Sequence, residues 1–134
     1  MKTLTLIQPW ATLIALNEKH IETRSWTTQY RGPLLIHAGK TVDPSAWRMP
    51  YFKEVLDLYG ITPSNIPTSA IIAQVRLVDI QPTQTLVPTI SEQEKAFGFY
   101  GYGRFGWILD NVQPLHIQGI KGKLGLWDYN EKII

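Results

Sequence analysis

Apolar and polar residues alternate from the first positions of the chain. Leu4 and Leu6 stand between Thr3 and Thr5 and predict a half-buried strand over residues 2–7. The period then changes to that of a helix. Trp10, Leu13, Ile14 and Leu16 form one apolar stripe, Pro9 suits the first turn, and Asn17 tolerates the positive φ that would end it. Alternation returns over residues 21–26, where an extended chain places Glu22, Arg24 and Trp26 on one face and Ile21, Thr23 and Ser25 on the other. A loop over 27–32 leads to Pro33-Leu34-Leu35-Ile36-His37-Ala38, which predicts a buried strand running antiparallel beside the previous one.

The second half follows the same alphabet. Asp43-Pro44 reads as cap and first-turn proline, Pro50 divides a short helix near 44–48 from a second at 51–59, and Gly60 stops it. Trp47, Phe52, Val55, Leu56 and Tyr59 recur at helical spacing and predict a core face. Ala70 to Ile80 is an Ile- and Val-rich run without a breaker, the strongest strand pattern in the chain, with Arg76 as a snorkelling or ion-paired exception. The proline-bearing stretches 61–69 and 81–90 read as loops, with 83–87 able to pair as an edge. Ser91 with Glu94 three residues on is a capping box for a brief helix. Residues 107–112, 114–120 and 123–127 complete the strands. Several strands, few helices and no regular strand–helix alternation predict a small α+β domain with a curled sheet or barrel, not a doubly wound parallel sheet.

Composition narrows this picture. The 134 residues, 44% of them hydrophobic, suit one domain over 1–134 with a sizeable core. The chain has no cysteine, which removes disulfide staples, thiolate metal sites and a cysteine nucleophile and is compatible with a reducing compartment. The apolar opening meets Gln8-Pro9 too early for a signal peptide and no run reaches membrane-spanning length, so the expectation is a soluble cytoplasmic protein with no membrane partner. A net charge of +2 argues for no particular partner, but residues 19–48 carry Lys19, Arg24, Arg31, Lys40 and Arg48 against Glu22 and Asp43. That local excess is the footprint of a phosphate-bearing ligand.

The candidate chemistry centres on residues 17–26. Lys19, Glu22, Arg24 and Trp26 gather an ammonium, a carboxylate, a guanidinium and an indole, a set that suits a planar, polar or anionic ligand; the plainer reading is a solvated face of ordinary ion pairs. His37 lies among apolar residues as a core or supporting histidine, and Lys40 follows at the strand end where it can face a bound anion. Residues 98–106 interleave glycines with Phe99, Tyr100, Tyr102 and Arg104, either to present rings for stacking on bases or to turn tightly over the core. These glycines do not form a phosphate-binding fingerprint. His20, His37 and His116 have no metal-ligand spacing, so neither a metal nor a cofactor is expected.

With Gln8-Pro9-Trp10-Ala11, Lys19-x-x-Glu22-x-Arg24-Ser25-Trp26, Arg31 to Ala38, Ala70-Ile71-Ile72, and Phe105-Gly106-Trp107 through Trp127 in this order, the chain resembles the ASCH family, the activating signal cointegrator homology domain. That resemblance implies a fold similar to the PUA domain of RNA-modifying enzymes, a small mixed β-barrel with flanking short helices. The family motif is written G-x-K-x-x-E-x-R; Asn17 stands at the glycine, and Lys19, Glu22 and Arg24 match. The resemblance implies a module that binds RNA, a nucleotide or a modified nucleoside in a cleft floored by these three residues, with Trp26 or Tyr102 stacking. The alternative it implies is a small hydrolase. Amidohydrolases of the wider family that act on 4-acetylcytidine use the motif lysine, a threonine three residues later and a separate glutamate, whereas this chain has Glu22 there and Thr23 only adjacent. Other members are reported as ribonucleases, a phosphoryl chemistry that Lys19 with Tyr30, Tyr102 and Arg104 could serve, although no acid–base pair stands at a fixed spacing; for an enzyme of either kind the catalytic candidates are Lys19 and Glu22. Lys19 beside Glu22 is expected to remain a cation at neutral pH, with the carboxylate outweighing burial and Arg24.

Overall fold

The computed structural model describes residues 1–131. Six strands form one sheet: β1 (Lys2–Gln8), β2 (Ile21–Arg24), β3 (Gly32–Val42), β4 (Ala70–Pro82), β5 (Phe105–Gln118) and β6 (Leu126–Asp128). Four short helices punctuate it: α1 (Trp10–Ala15), α2 (Pro50–Leu58), α3 (Thr83–Leu86) and α4 (Glu92–Ala96). The strand order is β2-β5-β4-β3-β1-β6, with β1 and β3 parallel and every other pair antiparallel.

The predicted pairing of the second and third strands does not occur. β2 lies against β5, three strands on in sequence, while β3 takes β4 on one side and β1 on the other. The reason is burial. Leu34, Leu35, Ile36 and Ala38 are all inaccessible, so β3 has apolar side chains on both faces and belongs in the middle of the sheet. β2 carries Glu22 and Arg24 and tolerates an edge. Residues 83–87, which the sequence allowed as an edge strand, instead form α3 and the start of a 3-10 turn at Val87–Thr89. Pro82 makes the last strand pair, and the Thr83 N–H turns to the Arg104 carbonyl at 2.9 Å, which ends the ladder.

The sheet is curled but does not close into a barrel. Register shifts interrupt β3–β4 once and β4–β5 three times, and such bulges bend a strand and increase its twist. The curl brings the free edge of β2 round toward β1. β6 pairs β1 only over Lys2 to Leu4, so the rest of β1 has no strand on that side. Closure would need β2 to pair with that remainder, and β2 has only four residues, already pointed at the gap with charged side chains. The two ends therefore meet across an open seam.

Inside the curl, Leu4, Leu6, Leu34, Ile36, Val75, Leu77 and Trp107 form the main core, and α1 plugs one end with Ala11 and Ile14. A second cluster of Leu13, Phe52, Val55, Leu56 and Phe97 holds α2 to the body, each full burial contributing about 2 kcal/mol. Of the face predicted for this helix, Tyr59 stays exposed. Asn17 does adopt the left-handed conformation, φ 61°, and the reversal brings the Lys19 N–H onto the Leu13 carbonyl at 3.1 Å. That turn is what tucks Lys19 underneath β2.

Candidate functional site

A cavity of about 660 Å³ opens along the seam. β1 lends Thr5 and Ile7 to one wall, and β2 lends Glu22, Thr23 and Arg24 to the other. The end of β3 contributes Thr41 and Val42 with Asp43 just beyond it, α1 contributes Trp10, and the segment after α4 contributes Phe97, Phe99 and Arg104. The volume falls within the range of small-ligand pockets, and its mixture of rings with a few convergent charges is typical of them.

The charged floor is a chain of contacts. Arg24 donates from Nε to Glu22 at 3.0 Å and from Nη2 across the seam to the Thr5 carbonyl at 2.9 Å. The other Glu22 oxygen lies 3.6 Å from the Lys19 ammonium, which also donates to the Ile21 carbonyl. Glu22 is thus held between two cations, with a net +1 on the three groups. Lys19 has no accessible surface and does not line the cavity. Burial pulls its pKa below the ordinary lysine value, opposed chiefly by Glu22 and then by Glu94. The expected order of these effects is reversed: desolvation of a wholly buried amine exceeds the attraction of a carboxylate that is itself partly solvated.

Glu94 was expected to complete a capping box with Ser91. Only half of that box forms: the Ser91 hydroxyl accepts from the Glu94 N–H at 3.0 Å. The Glu94 carboxylate turns away, accepting from the His20 N–H at 2.9 Å and the Ile21 N–H at 3.2 Å, so α4 caps the start of β2. His20 adds its ring to the same carboxylate at 3.1 Å. Nearby, the Tyr100 hydroxyl is buried with no hydrogen-bond partner among the described residues; burial, then Glu94 and Glu22, push its pKa upward.

Thr23 departs from simple alternation. Expected on the face opposite Glu22, it also lines the cavity, because its Oγ1 accepts the Phe99 N–H at 2.9 Å and draws the glycine-rich segment over the strand. Arg104 secures the same segment, donating to the Phe99 carbonyl at 3.1 Å and the Thr23 carbonyl at 3.3 Å, with its guanidinium 5.9 Å from the Phe99 ring centre. Phe99 remains 64% exposed and so presents a free ring face at the mouth.

The eight candidate residues therefore divide. Glu22, Arg24 and Arg104 meet in the seam cavity, and Lys19 lies beneath it. Trp26 falls beyond the end of β2 and packs edge-on against Trp107 at 4.9 Å, outside the cavity lining. Tyr102 points to solvent, 89% exposed. His37 and Lys40 line an adjoining groove. Trp10, Phe97 and Phe99 are the cavity's rings: helical spacing marked the first as core, and Phe99 stood in the segment singled out for stacking, with nothing to distinguish it from Tyr102. Among the described residues no three histidine or carboxylate side chains gather as a metal-binding group, and no helix is long and apolar enough to cross a membrane.

Comparison with known proteins gives a consistent result. The family model for the ASCH domain matches residues 4–119. Activating signal cointegrator 1 from Mus musculus is 30% identical over 142 residues, covering 97% of this chain and 22% of that protein. The Homo sapiens protein of the same name is 28% identical over 141 residues with the same coverage. The chain thus spans about a fifth of the length of these relatives. The crystal structure of ASCH from Zymomonas mobilis superposes with a TM-score of 0.53 at 18% identity, covering 87% of this chain and 72% of that one, a likeness of fold.

Proposed function

The chain belongs to the ASCH domain family, and from that premise we propose that it is an RNA-binding module whose seam cavity receives one nucleotide of a single strand. The observation that carries this reading is the pairing of Glu22 with Arg24 at 3.0 Å on the floor of a cavity that Phe99 overhangs. The Glu22 carboxylate accepts from the amino group of a base edge, Arg24 and Arg104 meet carbonyl or phosphate oxygens, and Phe99 stacks on the base. Trp10 and Phe97 supply the apolar backing. In this role Lys19 acts through Glu22, holding the carboxylate in place, and meets no ligand itself.

The burial of Lys19 is also what favours a module over a hydrolase. A nucleophile or general base must lie within hydrogen-bond reach of the reacting atom. Lys19 has no accessible surface, and its ammonium is occupied by Glu22 and the Ile21 carbonyl. Titration of labelled oligoribonucleotides at low salt tests the reading, with saturable binding that weakens in Glu22→Gln and Arg24→Ala as the expected result. Lack of saturable binding by the wild type would end it. Incubation with 4-acetylcytidine and with unstructured RNA, followed by chromatography, should show no turnover; product formed by the wild type and not by Lys19→Ala would promote the hydrolase instead.

A further inference from the structure

A second groove of about 380 Å³ adjoins the seam cavity and shares Thr5, Leu6, Ile7 and Thr41 with it, so the two form one depression with two lobes. Their chemistry differs. The seam lobe mixes Glu22 and Asp43 with Arg24 and Arg104, whereas the second lobe is lined by Lys40, Lys121 and Lys123 and by no carboxylate. Lys2, Lys19, Lys53 and Lys95 each pair with an acid. Lys40, Lys121 and Lys123 enter no ion pair among the described residues. Three like charges gathered without a counter-charge raise the local potential and favour an anion.

The lysines also stand on fixed backbone. Lys40 lies on β3, and the loop bearing Lys121 and Lys123 is moored to the body on both sides of Ile120. The Ile120 N–H donates to the Ser69 carbonyl at 2.8 Å, and the Ile120 carbonyl accepts from His37 Nε2 at 2.7 Å. Gly122 lets the loop settle closer still, since a Cβ there would lie 2.8 Å from both His37 Cε1 and Thr5 Oγ1.

Resting on the reading of the seam cavity as a nucleotide site, we propose that this second lobe holds the phosphates of the nucleotides that follow in the same strand, so that the ligand is a polymer and not a free nucleoside. The groove offers ammonium groups, and its one lining ring, His37, is 1% exposed and cannot stack on a base, so the lobe reads backbone charge alone and leaves base selection to the seam lobe.

The test uses a labelled six-nucleotide RNA and the corresponding nucleoside monophosphates, titrated over a salt series against the wild type and a K40Q/K121Q/K123Q variant. All three lysines are exposed, so the fold should survive, and circular dichroism checks that it does. The wild type should bind the hexamer far more tightly than any monophosphate. The variant should keep the monophosphate affinity while the slope of log K against log salt for the hexamer falls by about two, at roughly 0.7 per phosphate contact on a single strand. An unchanged slope and affinity for the hexamer would overturn the proposal, as would inorganic polyphosphate competing as well as RNA of equal charge. If the wild type binds neither hexamer nor monophosphate, the seam reading falls, and this one with it.

Discussion

Arg24 reaches from the free edge of β2 to the carbonyl oxygen of Thr5 on β1 at 2.9 Å, joining the first strand of the order to the one next to last, which no backbone ladder connects. Its Nε holds Glu22 at the same time. Arg24→Ala should therefore lower stability by about 2 kcal/mol, the scale of a hydrogen bond made by a charged group, and weaken RNA binding as well. Arg24→Lys should recover little of either, because an ammonium cannot make both contacts in this geometry. Urea unfolding and oligonucleotide titration of the two variants check this.

Lys19 gives a pH signature. Its folded pKa is lowered by burial, so the unfolded chain binds the proton more tightly and the buried ammonium costs stability below the folded value. That cost is relieved as pH rises from the folded value toward the ordinary 10.5. The wild type should gain stability over this window relative to Lys19→Met, measured by urea unfolding at each pH. Lys19→Ala should be the more damaging change at every pH, since truncating a buried chain of this size costs about 2–5 kcal/mol.

His37 predicts a boundary of the same sign in the acid range. Its Nε2–H donates to Ile120, Nδ1 faces Thr5 Oγ1 at 3.1 Å, and burial lowers its pKa below 6.5. The unfolded chain then takes up the proton first. Stability should be full above about pH 6.5 and fall as the pH is lowered toward the folded value. The difference between wild type and His37→Gln, followed by thermal unfolding from pH 7.5 to 5, should shrink in proportion.

Phe99 and Tyr102 separate stacking from mere exposure. Phe99→Ala should lose about 1–3 kcal/mol of oligonucleotide affinity, the worth of one stacked base, with stability almost unchanged. Tyr102→Ala should leave affinity within error, because its ring lies outside the seam lining. Fluorescence titration of both variants with one RNA decides the matter; equal losses would place the stacking surface elsewhere.

The elements were legible wherever one period ran unbroken. β1, β4 and both halves of β5 follow alternation or an unbroken Ile and Val run, and Asn17 and Pro50 mark real boundaries because they act on the backbone locally. Pairing was not legible, since alternation in β2 fixes which residues share a face and says nothing of the neighbouring strand. The motif residues Glu22 and Arg24 were found by charge. The misplacement of Trp26 arose because β2 stops at Arg24, two residues short of the expected strand. The burial of Lys19 was hidden for a different reason: it depends on a left-handed turn and on Glu94 from a helix more than seventy residues away.

A cylinder of paired strands resists deformation equally all round, but this sheet has one compliant direction, the line where the Arg24 guanidinium ties β2 to β1 in place of a ladder. The seam cavity lies along that line. Occupancy there is therefore coupled to the spacing of the two strands, so amide exchange on β2 should slow when RNA is bound, while the Gly32–Ile36 part of the β3–β4 ladder, which lines neither lobe, registers nothing.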